Sequence, residues 1–445
     1  MRGASEHRGR TARTLGLLAR HESRNVTHID PEGGWPIVWE SARGCDVRDA
    51  EGRRYLDLTA AFGVAAAGHA NPRVVAAGRR QMGRLLHAMG DVHPHPAKAL
   101  LLRELSRVTF GRWEKGGVAK SILGNSGFEA VEAALKTARL ATGRSGVIAF
   151  EGGYHGLGYG ALNATHRGHF RDPFRDQLGG FGRFVPFPLA DAGDGPATLA
   201  ATERALRQAM ADGTVGAVIV EPIQARGGIR IPPPGFLRGL RAACDAHGAL
   251  LVLDEIYTGF GRTGRWFACE DEGVVPDVVC LGKALTGGFP LSACTGRAEI
   301  MDRAWPASSG EAIHTSTFLG HPVGCAMALA QIGEIRRLRL PARSARLGEW
   351  LVRALERLPA TSGGFRMRVR GKGLMAGIEI RDAAGGPATA VVLDMMKRLL
   401  AAGFVVLPEG ADAEVLSFTP PLTITEAQLE RAVRAVGRAW KESTR

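Results

Sequence analysis

Between about residue 64 and residue 320 the chain alternates helical stretches with short, continuous apolar runs, among them Gly146–Phe150, Ala217–Val220, Ala249–Leu253 and Asp277–Leu281. A short run that is apolar at every position has both faces covered, which is how a strand inside a parallel sheet reads. The helical stretches between the runs supply the crossovers that parallel strands need, so the pattern predicts an α/β core. Ahead of it, Trp39–Ala42, Asp46–Arg48 and Arg53–Asp57 flank the turn Asp49-Ala50-Glu51-Gly52 and predict a small sheet. Behind it, the chain reads as a long helix, strands around Met375–Ile380 and Phe404–Leu407, and a closing helix from Thr425. Four segments result: a flexible basic arm over 1–25, the first part of a small domain over 26–63, a large domain over 64–320, and the rest of the small domain over 321–445.

Composition narrows the class without naming a function. Forty-five per cent hydrophobic and 23% charged residues are ordinary for a globular protein. No apolar run reaches the roughly 18 residues of a membrane span, and the Arg-rich start lacks the apolar core of a secretory signal. The formal charge of +13 is spread along the chain with no nucleic-acid motif beside it. A mildly attractive field for anionic small molecules accounts for it better than a nucleic-acid partner. Six cysteines (Cys45, Cys244, Cys269, Cys280, Cys294, Cys325) form no CxxC pair, so neither a disulfide framework nor a metal site is expected, and a reducing cytoplasm fits.

Three successive strand candidates end on polar residues: Ala217–Val220 on Glu221, Ala249–Leu253 on Asp254, and Asp277–Leu281 on Gly282-Lys283. In a parallel sheet the carboxyl ends share one edge, where ligands bind, so these three side chains should converge. Lys283 is one of eight lysines and has no charged neighbour in Cys280–Leu285. A desolvated lysine loses its proton more readily and attacks aldehydes, although the position also suits a structural lysine paired with Asp254. Gly124-Asn125-Ser126-Gly127-Phe128-Glu129 opens a helical stretch, and its free N–H groups would hold an anion or simply cap the helix. A phosphate site, an aldehyde-reactive lysine and a carboxylate on one edge point to pyridoxal phosphate.

The stretch Leu251–Gly296, LVLDEIYTGFGRTGRWFACEDEGVVPDVVCLGKALTGGFPLSACTG, resembles the signature of class III aminotransferases, in the fold-type I pyridoxal-phosphate superfamily. DAEGRRYLDLTAAFGVAAAGHANP, NSGFEAVEAALKTAR, FEGGYHG, VEPIQARGG and HTSTFLGHP follow the same family's order, and the likeness spans roughly residues 30–440. The resemblance implies a large domain with a mostly parallel seven-stranded sheet, a small α+β domain from both chain ends, and a homodimer. It implies that Lys283 holds the cofactor as a Schiff base and relays a proton, while Asp254 pairs with the pyridine nitrogen. Tyr154 and Ile256 would cover the two ring faces; Ser126, Gly127 and the Phe128 N–H would hold the phosphate. Thr317 would reach the phosphate in the neighbouring subunit, and Glu221 and His155 would back the site or, for His155, simply pack. Donor and acceptor would take turns on the enzyme, in a specialised biosynthetic step. An aminomutase or racemase on the same fold is the alternative, since both begin by removing the same proton.

Several positions depart from the family. A large ring, Phe128, follows Ser-Gly, and Tyr257 stands where a Gln commonly meets the cofactor's phenolic oxygen; Tyr257 would donate a replacement hydrogen bond or pack. The family's Glu that pairs with a late Arg is Arg226 here, and the Arg position is Ser417. Arg226 would then receive a substrate carboxylate from the opposite wall, or point to solvent in an enzyme for uncarboxylated amines. Trp35 and Phe62 would line an apolar substrate wall or belong to the core.

Overall fold

The computed structural model of the chain describes residues 3–27, 35–190 and 195–445. The start is not the flexible arm expected. Gly3–His21 is a helix, in keeping with its Arg, Leu and Ala content and lack of proline. Arg10 pairs with Glu40, and Glu51 accepts from the Thr11 N–H at 2.9 Å, which ties this helix to the first small sheet.

Strands β1 (Trp39–Arg43), β2 (Asp46–Asp49) and β3 (Arg54–Asp57) form that antiparallel sheet where the turn residues predict it. The central sheet comprises β4 (Ala119–Gly124), β5 (Gly146–Phe150), β6 (Gly182–Val185), β7 (Val215–Val220), β8 (Leu250–Asp254), β9 (Val278–Leu281) and β10 (Ser292–Arg297), in the order β4-β10-β9-β8-β7-β5-β6. All neighbours are parallel except those of β10, which runs antiparallel to β4 and β9. The alternation along β7 explains why its whole run is apolar. Ala217 and Ile219 join a cluster with Ala130, Val131, Ala133 and Ala134 of the helix Gly127–Thr142, and Val218 and Val220 join the large core on the other face.

The expected long helix is two, Pro322–Arg337 and Leu340–Glu356. Arg339 between them has φ 49°, and Pro341 starts the second, because a proline ring is incompatible with a helix running through it. Next come β11 (Thr361–Ser362), β12 (Phe365–Lys372), β13 (Met375–Arg381), β14 (Phe404–Val405), β15 (Leu407–Glu409) and β16 (Val415–Phe418). The single strand expected at Phe404–Leu407 is thus divided. β14 pairs in parallel with β3, while β15 pairs with β16 in the sheet β11-β12-β13-β16-β15. Among the described residues no helix is long and apolar enough to cross a membrane.

Glycines bring the second of the two helices, the β12–β13 turn and the segment after β8 into backbone contact. A Cβ on Gly348 would lie 2.0 Å from the carbonyl oxygen of Gly373, and one on Gly373 would lie 2.4 Å from the backbone of Thr263. Backbone cannot rotate away as a side chain does. Gly348→Ala is therefore expected to cost about 3 kcal/mol in a urea melt, the upper range for overpacking. A midpoint equal to that of the parent would refute the close approach.

Candidate active site

β7, β8 and β9 are consecutive in the sheet, and their carboxyl ends bring Glu221, Asp254 and Lys283 to one edge as expected. All three line a cavity of about 450 Å³ with Gly127, Phe128, Tyr154, His155, Arg226, Ile256 and Tyr257. Lys283 adopts φ 40°, a strained value for a residue with a Cβ, and aims its Nζ at the Tyr257 ring, 4.5 Å from the centroid. It keeps some surface open to the cavity yet sits deep within the fold. Burial pushes its ammonium pKa below the ordinary value against the pull of Asp254, Glu221 and Glu409.

Asp254 ends β8 with both oxygens used. Oδ2 meets His155 Nδ1 at 2.8 Å and Oδ1 accepts the Ile256 N–H at 3.1 Å. Burial alone would lower the His155 pKa, but the hydrogen bond and charge of Asp254 outweigh it and raise the value. Glu221 accepts from the N–H groups of Tyr154 at 2.9 Å and Ala225 at 3.1 Å, and burial pushes its carboxyl up to about 7. Ile256 packs against the helix start, so that a Cβ on Gly127 would lie 3.1 Å from its Cδ1.

At the helix start the Glu129 carboxylate reaches back to the N–H groups of Asn125 and Ser126, the latter at 3.2 Å. The Ser126 hydroxyl is buried without a hydrogen-bond partner. A buried, unsatisfied hydroxyl beside the free N–H groups of a helix of 16 residues is what a phosphate would complete. The bulk of Phe128 is absorbed by glycines: a Cβ on Gly156, at φ 111°, would fall 2.4 Å from the Phe128 Cβ, and one on Gly158 would fall 2.6 Å from its ring.

Other sequence candidates lie elsewhere or act otherwise. The Tyr257 hydroxyl, expected to favour a cofactor oxygen, is bonded to Thr419 Oγ1 at 3.1 Å, which itself donates to the Thr59 carbonyl; Tyr257 turns its ring to Lys283 instead. Trp35 packs with Ile37 against Tyr55, Leu400 and Val405, away from the cavity. Phe62 is exposed and lines no part of the cavity, though its neighbour Gly63 touches the Tyr257 ring. Thr317 is exposed and apart from this chain's cavity. Ser417 gives its hydroxyl to the Leu407 carbonyl at 3.0 Å, a strand-to-strand bond.

The sequence reading missed the cavity's outer rim. Phe170 meets the Tyr154 ring edge-on with centroids 5.6 Å apart, and Arg226 lies over Tyr154 at 5.0 Å. Glu409, ending β15, is 7% exposed and stands 3.9 Å from Arg226 Nε. A carboxylate closing the apolar run Phe404–Pro408 was the available signal for Glu409; nothing local marks Phe170.

Comparison with known proteins agrees with this geometry. The sequence profile of the family "Aminotransferase class-III" matches residues 29–439. The acetylornithine aminotransferase of Methanosarcina mazei is 37% identical over 410 residues, 92% of either chain. The 5-aminovalerate aminotransferase of Pseudomonas aeruginosa is 36% identical over 92% of this chain and 94% of its own. Among solved structures, an amine transaminase from an uncultivated Pseudomonas species, in its pyridoxal-phosphate-bound form, is 30% identical with a TM-score of 0.84, covering 94% of this chain and 97% of that one. The chain belongs to the class III aminotransferases, pyridoxal-phosphate enzymes of fold type I that transfer amino groups.

Proposed function

We propose that the enzyme moves an amino group from a carboxylate-bearing amine to a carbonyl acceptor in two half-reactions that share one cavity. The observation that carries this reading is the meeting, around one cavity, of Lys283, Asp254 and the helix start at Gly127 and Phe128, directly after the unsatisfied Ser126 hydroxyl. These residues fit pyridoxal phosphate: Ser126 and the N–H groups of Gly127 and Phe128 would hold the phosphate, Lys283 the aldehyde, and Asp254 the ring nitrogen. Tyr154 and Ile256 would cover the ring faces. The cofactor, when bound, supplies an electron sink for the carbon that bears the amine.

The chain's own residues then have defined tasks. Lys283 has the lowered proton affinity needed to accept a proton from substrate and return it at a neighbouring atom. Asp254, braced by His155, presents its carboxyl group where a ring proton would be held. Arg226 lines the cavity with a partly open guanidinium and would receive the substrate carboxylate, a bidentate match of shape and charge. With Ser417 tied to backbone, this side of the site differs from the family pattern, which we read as adaptation to a specialised biosynthetic step.

We further propose a homodimer. Leu86, Met89 and Val92 are exposed in the segment whose His87 meets the exposed Phe318 at 5.2 Å between ring centroids. An apolar patch of this kind calls for a cover, and a second copy would bring its Thr317, beside Phe318, to the partner's phosphate. The large domain would span 64–320, with 26–63 and 321–445 completing the small one. Six free, buried cysteines support a cytoplasmic location.

The test is the absorbance spectrum of the purified protein mixed with single amines and no acceptor. A yellow band that bleaches with a carboxylated amine is expected. In Arg226→Ala, the KM for that donor should rise about 10- to 100-fold, from loss of a charge-assisted pair, while an uncarboxylated amine is unaffected. Equal loss for both donors sinks the role of Arg226. A band that persists while the substrate racemises or rearranges identifies an isomerase instead.

A further inference from the structure

The Arg226–Glu409 pair is a loose one. Nε to Oε2 is 3.9 Å, beyond hydrogen-bond reach, and Arg226 Nε is buried with no hydrogen-bond partner. Glu409 receives no hydrogen bond from a side chain among the described residues, although only 7% of it is exposed. Neither group is satisfied by the other, yet backbone holds them adjacent: the Gly410 N–H donates to the Arg226 carbonyl at 3.2 Å. Arg226 is held loosely on its other side as well, by ring faces of Tyr154 at 5.0 Å and Phe170 at 6.0 Å. The arrangement leaves its guanidinium free to turn between Glu409 and the cavity.

We infer that Glu409 is a specificity-determining residue that competes with the substrate's carboxylate for Arg226. With no carboxylate in the cavity, Arg226 leans on Glu409 and the wall is electrically neutral, so an uncharged substrate tail meets no bare cation. A substrate carboxylate draws Arg226 away and satisfies its Nε, and Glu409 is left facing Lys283, Arg167 and Glu221. Burial holds the Glu409 carboxyl up at about 7, against the pull of Arg226 and Lys283, so it takes up a proton at little cost once Arg226 turns. Glu409 thereby lowers the preference for carboxylated substrates and widens the range of amines that one cavity accepts.

This inference rests on the proposed role of Arg226, and its test separates the two. Glutarate, an unreactive dicarboxylate, is titrated by calorimetry into the cofactor-loaded enzyme and into Glu409→Gln, Arg226→Ala and the double variant. Glu409→Gln keeps the shape and removes the competing charge, and is expected to bind glutarate about tenfold more tightly. Arg226→Ala should bind it more weakly, and adding Glu409→Gln to that background should change nothing. The KM for benzylamine, which carries no carboxylate, should rise about threefold or more in Glu409→Gln, where Arg226 faces the uncharged ring without a counter-charge. A fall in that KM would overturn the neutral wall. Glutarate affinity unchanged or weakened in Glu409→Gln, with Arg226→Ala weakened, overturns the role of Glu409 alone. Affinity unchanged in Arg226→Ala overturns the role of Arg226 and this inference with it. Glu409→Asp, which retains the charge on a shorter stem, should fall between wild type and Glu409→Gln; tighter binding than Glu409→Gln would likewise refute competition by charge.

Discussion

Lys283→Ala is expected to abolish turnover, lowering kcat/KM by on the order of 10⁴ or more, and to remove the yellow band of the loaded enzyme. Among the described residues no other lysine lines the cavity, so nothing nearby can take over. The lesion is chemical rather than structural, because Ala retains the backbone at φ 40° with no new strain and leaves Tyr257 bonded to Thr419. Lys283→Arg separates charge from proton transfer: the guanidinium keeps the positive charge facing Asp254, Glu221 and Glu409 but does not give up its proton near neutrality. It should be as inactive as Lys283→Ala. Turnover within tenfold of the parent in either variant would falsify the assignment of Lys283.

Asp254→Asn should rank second, with kcat reduced on the order of 10³, within the span attributed to a single acid–base group. The amide matches the carboxylate in size and can still accept one hydrogen bond, so the fold should persist. What disappears is the negative charge, and His155 reports it. In the parent, Asp254 raises the His155 pKa against burial; without that charge, burial prevails and the pKa should drop below the ordinary histidine value. NMR titration of the imidazole reads this directly. A small loss of kcat together with an unmoved His155 titration would show that Asp254 serves packing rather than charge.

How much of this was legible in the chain varies with the cause. β7 and β8 are readable because both faces of each are buried, which makes the whole run apolar. β4 and β10 are not, since AKSILG and SACTGR mix small and polar residues at the antiparallel side of the sheet. The convergence of Glu221, Asp254 and Lys283 follows from strand direction alone, so spacing along the chain is no obstacle to finding it. Glu409 depends on how β15 lies against the loop after β7, a tertiary fact without a local pattern. Whether Tyr257 would bond the cofactor or simply pack was open on sequence grounds, and its bond to Thr419 depends on the C-terminal segment, which no local pattern reveals. The N-terminal helix escaped because a basic, Gly-containing stretch reads as solvated until Glu40 and Glu51 are placed beside it.

The parallel pairing of β3 with β14, Leu56 opposite Phe404 and Val405 opposite Asp57, has a consequence for the order in which the molecule is made. A ribosome delivers Leu56 nearly 350 residues before its partner, and bonds such as the one from Thr419 N–H to the Leu58 carbonyl, 2.7 Å, wait longer still. The central sheet, with Lys283 already in it, is translated while one side of the cavity has no wall. Lengthy loop closure of this sort is slow and leaves apolar surface uncovered in the meantime. A segment made long after the central sheet thus seals the site: Glu409, Thr419 and the helix Glu426–Ser443 arrive together. Until they dock, a nascent chain holds its reactive lysine but not the wall that chooses what reaches it.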